Sequence, residues 1–214
     1  MKNKSLQIFI AVSAAAILWF LMFSPWTAPH LNFWIMMSCS AVILSSIATC
    51  FFPGIWKTLA PDWKDLVLGI AIAVALWGIF WIGDKLSSMI FGFARPQVDM
   101  IYGIKEGTSF LVLSAILLFL IGPAEEIFWR GYIQKSLSEN IGADKALIVT
   151  TAVYTLVHLP SLNFMLIMAA MTAGAVWGKK ASCHSHFSRT VGCSCVRMVS
   201  NIMFWNCYKL YIHL

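Results

Sequence analysis

The chain has 214 residues, of which 60% are hydrophobic and only 11% charged, with a mean hydropathy of +0.79. Soluble domains carry about 25% charged residues, so this composition excludes a soluble globular fold and points to a polytopic membrane protein. The net charge of +6 is modest, and Lys and Arg sit near the ends of apolar runs, a pattern of membrane topology and not of nucleic-acid binding.

In chain order, residues 6–23 read as a first span, closed by Pro25 and Pro29. Lys2 and Lys4 before it resemble the basic end of a signal peptide, but the apolar run of about 18 residues exceeds a typical h-region, so a retained helix is expected. Residues 31–52 form a second span, ended by Pro53-Gly54. Residues 57–65 read as a short polar loop with Trp56 and Trp63 as interfacial anchors. A third span covers residues 66–82, and residues 84–107 are a mixed stretch, partly helical at the interface. Residues 109–134 make a fourth helix, longer than the ~20 residues needed to cross, so a tilt or a bend near Gly122-Pro123 is expected. Residues 146–159 and 162–177 are a fifth and a sixth span. The fold class is therefore all-α, a transmembrane bundle of about six spans, with a membrane domain over residues 1–178 and an atypical tail over 179–214. Lys2, Lys4, Lys57, Lys64, Lys135, Lys145, Lys179 and Lys180 fall on the N-terminal side of the membrane, against Lys85, Arg95 and Lys105 on the other, so the N-terminus is expected in the cytoplasm.

The fourth helix holds Pro123-Ala124-Glu125-Glu126-Ile127-Phe128-Trp129-Arg130 inside an otherwise apolar run. A charge at bilayer depth costs roughly 2.5–3.5 kcal/mol on insertion scales, so the cluster needs a reason. Glu126 and Arg130 are four apart and can pair on one helix face, which leaves Glu125, rotated about 100° away, for chemistry. A structural ion pair between helices is the plainer reading of Glu126 and Arg130. The fifth span adds Tyr154 and His158, also four apart, with Pro160 disfavouring helix at Leu159. Alone, His158 reads as a histidine satisfied by a carbonyl. Beside two carboxylates, it completes the minimal kit for activating a water.

Glu-Glu-x-x-x-Arg at Glu125, Glu126 and Arg130, followed by aromatic-x-x-x-His at Tyr154 and His158, resembles the CPBP family of intramembrane proteases. These are the CAAX prenyl-protein endopeptidases and the bacteriocin-processing or immunity proteins. Tyr154 stands where Phe is common, and Gly174 and Gly178 resemble the small-residue helix that follows, so the likeness covers residues 109–178. The resemblance implies an all-α membrane fold and peptide-bond hydrolysis, with Glu125 and His158 activating water and Glu126 and Arg130 completing the motif. The family has been described both as metal-dependent and as glutamate-based. Without a third ligand, a metal-free form with no cofactor is expected. The expected partners are membrane lipid and a peptide or protein substrate, prenylated in the CAAX class, and not nucleic acid. The expected location is a bacterial plasma membrane.

The family's third motif, a last span with His and then Asp or Asn four residues on, is missing. After Gly178 the chain turns polar, with Cys183, His184, His186, Cys193 and Cys195. Their spacing fits no structural zinc pattern well. A shifted reading frame accounts for the tail better: suitable codons for residues 183–200, read one base later, encode an apolar run containing His-x-x-x-Asp. Met198 followed by Val199 is the one forced step, because ATG-G becomes TGG, a Trp codon. A chain without that motif is expected to have little peptidase activity. The rival readings are a catalytically silent immunity or interaction protein on the same fold, and a transporter or channel with the charged cluster as its ion path. The last is weakened because the cluster sits in one helix and not in two repeat-related ones.

Overall fold

Lipid offers the backbone no hydrogen-bond partners, so apolar runs of this length satisfy their N–H and C=O groups internally, as helices. The computed structural model describes residues 4–55, 63–104 and 109–183. These contain seven helices and no strand: α1 (Lys4–Phe23), α2 (Phe33–Phe51), α3 (Trp63–Ile90), α4 (Ala94–Gly103), α5 (residues 110–141), α6 (Ala143–Leu156) and α7 (Phe164–Cys183).

Four segments are long and apolar enough to cross a membrane: Lys4–Phe23, Phe33–Phe51, Ile70–Ile90 and Leu111–Ile141. The last two expected spans take shorter forms. Helix α6 has 14 residues, about 21 Å of rise, and its path is completed by a turn and a 3-10 segment at Leu159–Ser161. Helix α7 follows, with an apolar part at Phe164–Lys179. The third helix is longer than its apolar core suggested. Trp63, Lys64 and Asp65 belong to its first turn and Asp84 and Lys85 to its later part, while the rest of the expected loop lies outside the described residues. The mixed stretch after it is partly helical, as α4. The tail after Cys183, with its His and Cys residues, also lies outside the described residues.

Side chains close the helix ends. At the end of α1, Thr27 Oγ1 donates to the carbonyls of Phe20 and Leu21 at 3.2 and 2.9 Å, the first of which also accepts from Ser24 N at 2.9 Å. Asn32 caps α2 by accepting from Ile35 N at 3.1 Å, and Asn163 Oδ1 accepts from Leu166 N at 3.0 Å in the first turn of α7. Gly142, at φ +84, makes the corner between α5 and α6 in a conformation that L side chains rarely adopt. Within the spans, the hydroxyls of Ser38, Ser40, Ser46 and Thr49 donate to the carbonyl four residues back, which satisfies them without water.

Helix α5 is the axis of the bundle. It is interrupted by two π-helical stretches, Leu117–Ile121 and Glu126–Gln134, on either side of Gly122–Glu125. Pro123 has no N–H to continue the α ladder, and widened turns of this kind absorb such a break and recur at functional sites. Every residue from Glu126 to Gln134 is buried, so this part of the helix faces protein on all sides. One apolar core joins α1, α2 and α5 to α6 through Trp19, Leu44, Phe128, Trp129 and Tyr154. A second packs Trp34 and Ala41 of α2 on Leu117, Ile121 and Ala124. A third joins Ala73 and Leu76 of α3 to Trp177 of α7. Leu6, Phe9, Ile17, Ile35 and Leu111 point outward, as lipid-facing side chains do.

Candidate active site

Glu126 and Arg130 sit on the all-round buried stretch of α5, and both side chains are 2% exposed. Arg130 Nη1 lies 3.6 Å from Glu126 Oε1. Enclosure by the bundle is what allows the two charges at this depth, since the motif meets protein and not lipid. The guanidinium also stands over the ring of Tyr154, 5.2 Å from its centre, a cation–π contact.

Glu125, one residue earlier and half-buried, turns to a different neighbour. Tyr154 Oη donates to Glu125 Oε2 at 3.2 Å. Glu125 is also one of the residues around a small cavity at the junction of α1, α2 and α5, with Trp19, Met37, Ala41, Leu44, Ile121 and Ala124. The exposed lining is apolar, and the space is no larger than one water molecule.

His158 lies just past the end of α6, in the turn that leads to Pro160, and is 6% exposed. Its Nδ1 is 2.7 Å from the carbonyl oxygen of Tyr154, and its Nε2 accepts from the indole Nε1–H of Trp19 at 3.1 Å. Nδ1 can bond a carbonyl only as a donor, and Nε2 can accept only without a proton. The two contacts together define a neutral ring with its proton on Nδ1. Phe23 and Tyr154 pack on the imidazole at 5.5 and 4.9 Å between ring centres.

Three of the four residues singled out in the sequence, Glu125, Arg130 and His158, converge on one side chain, and Glu126 joins them through Arg130. Tyr154 holds Glu125 through its hydroxyl, stacks under Arg130, and orders His158 through its carbonyl and ring. The seam between α6 and α7 sets where that ring lies. A Cβ at Gly174 would meet Thr151 Cγ2 at 3.1 Å and Tyr154 Cδ1 at 3.4 Å. One turn on, Gln134 Nε2 donates to the carbonyl of Gly178 at 2.9 Å and ties α7 to α5. Trp129 Nε1, the Tyr132 hydroxyl and Thr150 Oγ1 are buried with no hydrogen-bond partner among the described residues. Unmet polar groups cost about 1–3 kcal/mol each, and in a native fold they call for an explanation such as a catalytic role.

Two members of this site escape a sequence reading. Trp19 reads as one more aromatic in an apolar span, and Gln134 as a polar residue at a helix end. Neither carries a signal of its own; only packing brings them to the motif. Among the described residues no group of three His, Cys, Asp or Glu side chains stands ready for a metal ion, and both nitrogens of His158 are engaged by protein groups.

Residues 107–203 match the family model described as Type II CAAX prenyl endopeptidase Rce1-like. The match takes in Glu125, Glu126, Arg130, Tyr154 and His158 and runs past Gly178 into the tail. No curated protein and no solved structure matches the chain. The long apolar helices and the buried motif helix mark an integral membrane protein, and its residues 107–203 are similar to the Type II CAAX prenyl endopeptidase Rce1-like family, which supports a CAAX-type intramembrane protease at family level.

Proposed function

We propose that the membrane domain is built to hydrolyse a peptide bond with Glu125 as general base and His158 as its partner, on a peptide or protein substrate within the membrane. The observation that carries this reading is the placement of Glu125. Glu125 stands beside a small apolar cavity, and its carboxylate is held by Tyr154, which also bonds His158. In this mechanism Glu125 takes a proton as the water oxygen bonds to the carbonyl carbon, and the carbonyl π pair moves onto oxygen. When the tetrahedral intermediate collapses, the C–N bond breaks and the proton held by Glu125 passes to the departing amine. Glu126 and Arg130 neutralise each other and keep the second carboxylate out of the reaction. No metal or cofactor takes part in this scheme.

The reading extends to the tail. We infer that residues 179–214 come from a shifted frame, and that the chain as it stands lacks the oxyanion donor of the family's third motif and has little peptidase activity. That departure also favours a second reading, a non-catalytic immunity or interaction protein that binds its partner with the same fold. The placement in a bacterial plasma membrane with a cytoplasmic N-terminus rests on the basic end of the bundle. The Lys4–Glu139 pair at 3.0 Å and the contact of Lys135 with the Phe52 ring bring the start of α1 and the ends of α2 and α5 together. The opposite end carries Arg95 between Asp84 and Asp99.

Expression in membranes of the frame-restored chain and its Glu125→Gln variant tests the enzyme reading. Cleavage of a CAAX-type substrate by the parent, lost in the variant at equal membrane yield, is the expected result. Equal cleavage by both would remove Glu125 from the mechanism.

A further inference from the structure

Trp19 belongs to α1, outside the matched region, yet it touches both halves of the site. Its indole is 2% exposed. One side forms a wall of the cavity that Glu125 edges. The N–H donates to His158 Nε2. Its ring meets Trp129 edge-on at 6.3 Å. With Nδ1 of His158 bonded to the Tyr154 carbonyl, the indole occupies the one nitrogen lone pair through which this imidazole could accept a proton or hold a water. A lone pair on Nε2 serves one good donor at a time, so a water or a substrate amide can use it only after the indole has left.

We propose that Trp19 is the gate residue of this site: it closes His158 in the resting protein and is displaced by the substrate segment. The inference rests on the protease reading of Glu125 and His158. The cavity marks the side on which the site can open. Its other walls are Met37, Ala41 and Leu44 of α2, so an indole that swings away opens the space between α1 and α2 toward Glu125. An apolar segment, entering from the lipid, fits that lining. Trp19 thus couples filling of the cavity to release of His158, and a site without substrate keeps its base partner covered.

The test has two readouts, one independent of turnover. In the full chain, reconstituted in lipid nanodiscs with 15N-labelled His and Trp, His158→Ala identifies the imidazole signals. The parent should show a neutral ring protonated at Nδ1, with Nε2 shifted by an accepted hydrogen bond. Trp19→Phe keeps an aromatic ring against Trp129 and removes only the donor, so the Nε2 signal should move to that of an unbonded nitrogen. In the unsubstituted chain, the Trp19 indole proton should be the Trp signal that responds to His158→Ala, a check that does not depend on the Phe variant folding. An unchanged Nε2 in Trp19→Phe, or an indole that ignores His158→Ala, would overturn the proposal. The second readout is kinetic, in the frame-restored chain. Losing one hydrogen bond that substrate must otherwise break should lower KM by roughly 2- to 10-fold without lowering kcat. A fall in kcat at unchanged KM would mean that Trp19 supports His158 instead of covering it. If neither parent nor variant cleaves, the protease reading fails while the nitrogen spectra still decide the contact.

Discussion

The hydroxyl of Tyr154 donates to Glu125 Oε2 at 3.2 Å, at a position where the family commonly carries Phe. This chain therefore holds its candidate base with a bond that a phenylalanine could not make. Hydrogen bonds to charged groups contribute roughly 1.5–3 kcal/mol. Tyr154→Phe in the frame-restored chain should leave the fold intact, because the ring contacts to Arg130 and His158 remain, and should lower kcat about tenfold or more. Steady-state kinetics with a thermal melt on the same samples check this. A variant as fast as the parent would show that the ring alone is what matters.

Arg130→Ala should be the most damaging single change in the motif. It would leave Glu126 buried at 2% exposure without its guanidinium, and breaking a buried pair costs about 3–5 kcal/mol. Low folded yield and lost activity are expected, with yield partly recovered when Glu126 is made Gln in the same chain. Melting temperatures of the two single variants and the double variant measure the coupling. An Arg130→Ala chain as stable as the parent, beside a Glu126→Ala chain that is not, would rule out the pairing.

The two glycines of α7 should respond differently to alanine. At Gly174 the added Cβ comes within 3.1 Å of Thr151 Cγ2 and 3.4 Å of the Tyr154 ring. Thr151 is β-branched and cannot swing aside easily, so α6 itself must shift, at the roughly 1–3 kcal/mol of overpacking, and Tyr154 moves with it. At Gly178 the Cβ would meet Leu147 Cδ1, the far end of a flexible side chain that can rotate away, and Gln134 Oε1 at 3.2 Å, also a side-chain end. Gly174→Ala should therefore lose more stability and more activity than Gly178→Ala. Thermal unfolding and initial rates of both variants test the order.

The frameshift reading proposed for the tail makes a direct prediction about activity. Removing one oxyanion donor costs about 2.7–4 kcal/mol in measured enzymes, so the 214-residue chain should cleave at least 100-fold more slowly than a chain with the frame restored after Gly178. Resequencing the locus and assaying both versions in membranes give the answer. Equal rates would show that the tail is natural or dispensable.

Much of this protein was legible without coordinates. Apolar runs of about 20 residues pointed to an all-helical membrane bundle, because a run of that length in lipid satisfies its own backbone groups as a helix. The residues at 125, 126, 130 and 158 stood out because ionisable groups are rare in apolar runs, and the spacing of four between Glu126 and Arg130 foretold their pair. Tertiary structure decided the rest. Whether α5 faces lipid or protein depends on its neighbours, and the complete burial of Glu126–Gln134 could not be read from its own residues. The π turns around Pro123 were expected only as a bend. Trp19 entered the site for a reason that no local pattern encodes: its partner His158 lies 139 positions away. Local sequence dictates helices and caps, since those bonds are made within a few residues. Which side chains meet at the centre is set by helix packing, and there one indole among 10 tryptophans came to rest against the imidazole.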